Sequence, residues 1–213
     1  MTIKYAKLIN KTTIQFPPKN KEGIINYNLN VDLMLQDGYK PFIKVEIPET
    51  NRVYHIEYIE NTNNIQEVIV YNETQEEADE RELKQAKQSK YNEANSKAKN
   101  YLESGEACFV FTQGENDYHI EATDGNIAKI GLKATALLIA QDFETTFPWN
   151  TKEDINIEIN ALEGKAIAEG LGLIQDSVWT LQFPAYITQI ENAQTINEVN
   201  SIEISYLERG ENV

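Results

Sequence analysis

The stretch Phe109-Val110-Phe111-Thr112, followed by Tyr118-His119-Ile120-Glu121-Ala122, decides the fold of the rear half of this 213-residue chain. Between them lies Gln113-Gly114-Glu115-Asn116-Asp117, which is rich in turn-forming residues, so the pattern predicts a β-hairpin. An alanine-rich helix is predicted to begin at Asp124-Gly125-Asn126. These elements are typical of a compact packing module, and none of them carries a catalytic signature.

Further elements complete the rear of the chain. Phe147-Pro148-Trp149-Asn150 is predicted to be a rigid aromatic bend, and three alternating isoleucines in Asp154–Asn160 indicate a strand. A long helix is predicted from about Ala161, and Pro184 is expected to kink it because the proline ring clashes with the preceding turn. The stretch Thr195–Val199 is either a short closing helix or the start of a tail.

The front third of the chain is strand-like. A first strand is predicted for Lys4 to Ile14, ended by Pro17-Pro18 because proline cannot donate to a ladder. A short helix is predicted within Asn30–Gly38, with Asn30 as its N-cap and Gly38 as its stop. Three more strands are predicted at Phe42–Ile47, Tyr54–Ile59 and Ile65–Tyr71.

A polar helix is predicted between the two regions. Thr74-Gln75-Glu76-Glu77 is a capping-box pattern, and the helix is expected to run to Leu102. Its sparse apolar positions form one narrow stripe, made of Ala78, Leu83, Ala86, Tyr91, Ala94, Ala98, Tyr101 and Leu102. The stripe fits a solvated connector that contacts a partner along one edge, or a self-associating coiled coil.

The predicted fold is therefore α+β in three parts. Residues 1–72 form a small β-rich docking module, residues 73–103 a polar connecting helix, and residues 104–213 a β-hairpin plus helical-hairpin module. Since few contacts are expected to cross the connector, the modules are predicted to be separable.

Composition narrows the function classes. Residues 1–72 carry eight Lys or Arg and eight Asp or Glu, so the net charge of −15 belongs entirely to the rest of the chain. Such a surface disfavours nucleic-acid binding and favours solubility or a basic partner. There is no run of 18 apolar residues, so no membrane span is expected, and the start resembles no secretory signal. Synthesis in a cytoplasm is expected.

The search for chemistry finds little. The chain has two histidines, His55 and His119, and one cysteine, Cys108, which is expected to be a small buried hydrophobe. There is no phosphate-binding loop, dinucleotide fingerprint or nucleophile elbow, and Gly170-Leu171-Gly172 is interpreted as a site of close helix packing. We therefore expect no metal and no cofactor.

Two sets of residues stay open as site candidates. A carboxylate pair for glycoside hydrolysis would draw on Asp117, Asp124 or Asp142 with Glu144, although such residues more often cap helices or form turns. A sugar-stacking or protein-binding surface would draw on tyrosines near Asn-rich turns, namely Tyr39, Tyr54, Tyr58 and Tyr71. Alternating tyrosines are also typical of one face of a small sheet.

The region of about residues 90–206 resembles a bacteriophage family defined by a domain of unknown function, common in tail-fibre and neighbouring virion proteins. The matching elements are Ala107–Phe111, Tyr118-His119-Ile120, Asp124-Gly125-Asn126, Phe147-Pro148-Trp149-Asn150 and Ala193-Gln194-Thr195-Ile196-Asn197-Glu198-Val199. Pro184 departs from this pattern. The front is similar to the N-terminal region of proteins from phages and prophages of Bacteroides-type bacteria, through Tyr5-Ala6-Lys7, Val31–Pro41 and Val70–Asp79.

The resemblance implies a non-enzymatic structural component of a tailed-phage virion, made in the host bacterial cytoplasm and placed in the tail, baseplate or fibre region. Its partners would be other virion proteins, such as tail or fibre subunits, or further copies of itself. The family offers no known active site, so none is carried over. A tail-fibre assembly chaperone and a glycan-binding accessory of the host-recognition apparatus are the alternatives.

Overall fold

The computed structural model describes residues 3–207. The chain divides into two compact units, Met1–Glu82 and Leu83–Val213, called here the front unit and the rear unit. Strands and helices occur in both units, so the predicted α+β class is confirmed. The division lies inside a helix that was predicted to be a separate connector. The first two and last six residues of the predicted modules lie outside the described residues.

A five-stranded sheet forms the front unit. Its strands are β1 (Lys4–Asn10), β2 (Thr13–Gln15), β3 (Lys40–Ile43), β4 (Tyr54–Glu60) and β5 (Ile65–Tyr71). The order is β2-β1-β3-β5-β4, with β3 and β5 parallel and every other pair antiparallel. The backbone N–H of Tyr58 in β4 donates to the carbonyl oxygen of Lys11, 2.7 Å away, between β1 and β2. The sheet therefore curls until its two ends meet.

Two strand predictions in the front unit are wrong in extent. The single strand expected for Lys4 to Ile14 is a hairpin, because the Asn10 side chain accepts hydrogen bonds from the N–H (2.9 Å) and hydroxyl (3.0 Å) of Thr12 and turns the chain. The strand expected for Phe42–Ile47 ends at Ile43. The N–H of Val45 donates to the carboxylate of Glu67 instead of to a neighbouring strand.

Short helices cover the sheet near β1. A 3₁₀ turn at Tyr27–Leu29 leads into α1 (Val31–Gln36). The predicted helix is confirmed, since the Asn30 side chain accepts the N–H of Leu33 at 3.2 Å and Gly38 has a φ of 84°. A small core forms here from Tyr27, Met34 and Tyr39, with Tyr5 and Leu33 packed against it.

The long helix α2 (Gln75–Glu103) begins as predicted. Thr74 and Glu77 form the capping box, with reciprocal hydrogen bonds of 2.7 and 3.2 Å. Toward its end the helix buries Ala94, Ala98 and Leu102 in the core of the rear unit. The apolar stripe at this end therefore packs inside the chain. This part of α2 belongs to the rear unit rather than to a solvated connector.

Two hairpins and a layer of helices form the rear unit. Its remaining elements are β6 (Cys108–Gln113), β7 (Asn116–Glu121), α3 (Asp124–Ile139), β8 (Phe147–Asn150), β9 (Asn156–Ile159), α4 (Ala161–Asp176), α5 (Phe183–Asn192) and α6 (Ile196–Ser201). β6 pairs with β7 and β8 with β9, both antiparallel. The predicted hairpin of residues 107–122 is confirmed.

Three rear elements decide predictions that were open or wrong. Phe147–Asn150 is the strand β8 rather than a bend, because Trp149 pairs with Ile157 and Pro148 stands in a ribbon of only two strands. Near Pro184 the helix continues from α4 to α5 through a π-helical segment, Ser177–Gln182, in which the N–H of Phe183 donates to the carbonyl oxygen of Val178. Pro184 itself lies in the first turn of α5, where a helix tolerates proline. Thr195–Val199 leads into the helix α6, so the closing-helix alternative is confirmed.

Candidate interaction surface

The predicted aromatic candidates lie mainly on one face of the front sheet. In the β4–β5 pairing, Tyr54 stands opposite Tyr71, and Tyr58 stands opposite Glu67. Because side chains alternate along a strand, these residues share a face. The Tyr54 and Tyr71 rings are 6.3 Å apart, whereas Tyr39 lies in the small core beside α1. Three of the four candidates are therefore brought together.

The aromatic rings are largely engaged with each other and with the chain. Phe42 contacts Phe16 at 5.7 Å and Tyr58 at 6.2 Å between ring centroids. The Arg52 guanidinium lies 3.6 Å from the centroid of the Tyr71 ring and donates through Nε to the Glu73 carbonyl oxygen. Since the guanidinium covers one face of Tyr71, that face is not open for stacking on a sugar.

The most exposed apolar side chains of the front unit belong to a segment that sequence reasoning missed. We call Asn20–Asn30 the apolar loop. Ile25 is 76% exposed and Leu29 is 73% exposed, and Ile24 stands beside them at 40%. The residues are too few and too irregularly spaced to show a helical or strand period, so no sequence pattern marked them. A short segment that exposes several large apolar side chains is a candidate protein-binding surface.

A short turn shapes the apolar loop. Lys21 and Ile24 exchange two backbone hydrogen bonds, of 3.1 and 2.8 Å. Glu22 and Gly23 between them have positive φ angles of 49° and 85°, the combination that a tight two-residue hairpin turn requires. The Asn26 N–H then donates to the Asn20 side chain at 3.0 Å. The backbone that carries Ile25 is therefore fixed on both sides.

Asp37, at the end of α1, anchors the loop to the body of the unit. Its carboxylate accepts a hydrogen bond from the hydroxyl of Tyr27 and forms an ion pair with the ammonium of Lys21, 2.8 Å away. The ring of Tyr27 is 1% exposed, so the loop is pinned by a buried side chain as well as by charge. Lys7 adds a hydrogen bond of 3.2 Å to the Asp37 carbonyl oxygen. The loop is thus ordered before any partner arrives, which reduces the entropy lost on binding.

The anchor also sets the ionisation of its members. Hydrogen bonds from Lys21 and then from Tyr27 lower the pKa of Asp37 below its ordinary 3.8. Burial, together with the hydrogen bond to Asp37, raises the pKa of Tyr27 from 10 to about 12. The hydrogen bond to Asp37 raises the pKa of Lys21 as well. Asp37 and Lys21 therefore stay charged, and Tyr27 stays protonated, across the neutral pH range.

The edges of the front sheet are less suited to binding a partner than the apolar loop is. β2 has only three residues and is followed by Pro17-Pro18, which cannot donate to an added strand. On the other edge strand, β4, the N–H of Tyr58 already donates to Lys11. Strand addition would compete with this contact. The neutral, tyrosine-bearing front predicts docking either by sheet-edge pairing or by burial of aromatic residues. The edge contacts disfavour pairing, and the exposed side chains of the apolar loop are aliphatic rather than aromatic.

The three aspartates considered for catalysis each hold a neighbouring part of the chain. Asp117 accepts the Thr112 hydroxyl at 2.6 Å across the β6–β7 hairpin, and Asp124 accepts the side-chain amide of Gln175 at 2.6 Å. Asp142 accepts the N–H of Thr145 at 2.9 Å and that of Glu144 at 3.2 Å, closing a turn. These hydrogen bonds give the three aspartates the structural roles that such residues commonly have.

The two histidines lie in separate units. His55 contacts the side-chain oxygen of Asn72 at 2.7 Å. His119 contacts the carboxylate of Glu153 at 2.5 Å. Burial alone would raise the pKa of Glu153. Hydrogen bonds from its own N–H and from His119 outweigh this effect and lower the pKa from 4.5 to about 2. This pair ties the β8–β9 loop to β7, which is a structural role.

Cys108 is buried, as predicted, and donates to the carbonyl oxygen of Gly105 at 3.2 Å. The ammonium of Lys152 lies 3.7 Å from its sulfur. Among residues 3–207, no group of three or more His, Cys, Asp or Glu is placed to hold a metal ion. Within the same residues, no helix combines the length and the apolar character needed to cross a membrane.

No family model, curated protein or solved structure matches the chain. Its function must therefore be inferred from its own surfaces.

Proposed function

We propose that this protein is a non-enzymatic interaction protein that docks on a neighbouring subunit through the apolar loop of its front unit. The sequence resemblance adds the setting, a tailed-phage virion in which the neighbour is a tail, baseplate or fibre subunit. The observation that carries the docking proposal is the pair of highly exposed side chains, Ile25 and Leu29, on a loop fixed by Tyr27 and Asp37.

The distribution of apolar surface supports this orientation. Among residues 3–207, twelve large apolar side chains of the front unit are exposed, against eleven in the longer rear unit. The front is also neutral through residue 72, while the rear carries the full excess of acid. Apolar side chains on a neutral surface are less costly to desolvate than carboxylates, unless the partner supplies matching bases. The front is therefore the better surface for a stable contact.

A tail-fibre chaperone would use the same surface but leave the particle. A glycan-binding accessory is less supported, because Arg52 covers the Tyr71 ring and Phe42 is engaged by Phe16 and Tyr58. Mass spectrometry of purified particles distinguishes a subunit, which is retained at fixed copy number, from a chaperone, which is absent.

The docking proposal is tested by capture of proteins from disassembled tailed-phage particles on the immobilised full chain. A double variant, Ile25→Asp with Leu29→Asp, should lose the captured subunit by about tenfold or more, since buried apolar anchors dominate interface energies. Leu181→Asp is the matched control, because Leu181 is 60% exposed in the rear unit. Capture should persist at high ionic strength, since the contact is apolar.

Equal capture by the double variant and the wild type would overturn the proposal. So would capture by the rear unit alone that disappears at high salt, because the acidic surface would then be the docking site. Circular dichroism of the double variant checks that the fold is kept.

A further inference from the structure

The helices α3 and α4 are apolar on both sides. Toward the core they bury Ile130, Ala134, Ile167 and Leu171. Their opposite side, called here the outer face, carries large apolar residues in solvent: Leu132 (75% exposed), Ile139 (79%), Leu162 (59%) and Leu173 (52%). A surface helix normally shows polar residues there. These side chains expose on the order of 400 Å² of surface, which is in the range of functional patches on soluble proteins.

The outer face alternates large and small residues. Gly131 approaches Ala168 and Gly164 approaches Ala134, so the two helices run antiparallel with a fixed register. Counting from these contacts at an equal rise per residue, Leu132 stands level with Ala166, and Ala136 stands level with Leu162. Leu132 on α3 and Leu162 on α4 thus each have an alanine beside them on the other helix.

We propose that the outer face binds the outer face of a second copy of this chain, about a two-fold axis parallel to the helices. That rotation lays α3 of one copy over α4 of the other at the same level. Leu132 then meets Ala166 of the second copy, and Leu162 meets Ala136. Large side chains enter the spaces above small ones, as in a four-helix arrangement packed knobs into holes.

The charges at the outer face favour the same occupant. By the same register, Lys129 on α3 stands level with Glu169 on α4. The two-fold rotation therefore brings Lys129 of each copy toward Glu169 of the other. Glu169 is already paired with Lys165 at 2.7 Å, so the face needs no strongly charged partner. A second copy carries the same net charge of −15, so the two chains repel each other in general. They can associate where the contact is apolar and its charges are compensated in this way.

Sedimentation velocity of the full chain tests the proposal. The wild type should dimerise with rising concentration, and Leu132→Glu should weaken the dimer by about a hundredfold, as expected for a central apolar anchor. Ile3→Glu is the matched control, because Ile3 is 64% exposed but lies in the front unit and outside the apolar loop. It should leave dimerisation unchanged, so failure of this proposal is distinguishable from failure of the docking proposal.

A charge exchange identifies the second copy as the occupant. Lys129→Glu and Glu169→Lys should each weaken the dimer by about threefold to tenfold, because each change affects two symmetric pairs. The double variant should recover the wild-type dimer. A chain that stays monomeric at concentrations of about 1 mM, or a double variant weaker than both single variants, would overturn the proposal.

Discussion

The Tyr27 hydroxyl donates a hydrogen bond to the Asp37 carboxylate, and this contact joins the apolar loop to the end of α1. Asp37 also holds Lys21, so one carboxylate fixes the loop at two points. The apolar loop is thereby ordered by contacts of Tyr27 and Lys21 with Asp37, and not by its exposed apolar side chains. Substitution of these groups should disturb the loop without changing its exposed residues, Ile25 and Leu29.

Removing the Tyr27 hydroxyl should make the loop more mobile and lower the melting temperature of the front unit. Tyr27→Phe keeps the buried ring but leaves Asp37 without one of its two side-chain partners. We expect faster amide exchange at Asn26, whose N–H is held by Asn20. Tyr118→Phe in the rear hairpin is the control. Unchanged exchange at Asn26 would show that Lys21 and the turn suffice to fix the loop.

The alkaline side of the stability curve should also report on Tyr27. Its pKa is raised to about 12 in the folded chain, so the folded state favours the protonated phenol. This contribution is fully present below pH 10 and is lost as the pH rises from 10 through 12. Urea unfolding at several alkaline pH values should therefore show a decline that is shallower in Tyr27→Phe. An equally steep decline in both proteins would contradict the assignment.

The stability of the chain at acidic pH should depend on Glu153 and its contact with His119. The folded pKa of Glu153 is about 2, below its ordinary 4.5. A carboxyl of lowered pKa stabilises the fold above its unfolded pKa, and this contribution is lost as the pH falls from 4.5 toward 2. Glu153→Gln should destabilise the chain at pH 6 but have less effect near pH 2.5. The same loss at both pH values would mean that ionisation of Glu153 is not involved.

The unit boundary predicts which fragment folds alone. Residues 83–213 contain the end of α2, whose Ala94, Ala98 and Leu102 are buried in the rear core. A fragment of residues 104–213 lacks these side chains and exposes the core surface that they cover. We expect cooperative thermal unfolding for the longer fragment and a loss of cooperativity for the shorter one. Cooperative unfolding of residues 104–213 at the same temperature would restore the division at residue 103.

Local signals in the sequence predicted most helix starts and strand cores. Capping residues such as Asn30 and Thr74 act within four positions, so their partners can be read directly from the chain. The Phe147–Asn150 strand was missed because Pro148 is unfavourable in most sheets, and only its pairing with β9 permits it. Helix α2 was predicted, but the packing of its end was not, because its alanines become core residues only through contacts with distant elements.

The candidate surface was harder to predict than the fold. The tyrosine alternation in β4 correctly placed Tyr54 and Tyr58 on one face. The apolar loop could not be predicted because its order depends on Asp37, which lies outside the loop in the sequence. A contact of this kind has no periodic pattern. Exposure of individual side chains is a property of the assembled unit, which explains why docking was predicted for the front without the residues that carry it.

The paired glycines of α4 give the sharpest test of packing, because they predict changes of opposite sign. A Cβ at Gly170 would overlap the ring of Phe109, whereas a Cβ at Gly172 would have no heavy atom within 4 Å. Gly170→Ala should destabilise the chain by about 1–3 kcal/mol through overpacking. Gly172→Ala should stabilise it by about 0.5–1 kcal/mol, because alanine restricts the unfolded chain and favours the helix. Urea denaturation midpoints of the two variants measure both effects against the wild type. If both variants were stabilised, Phe109 would have room to move, and Gly170 would not be needed for close contact between α4 and β6.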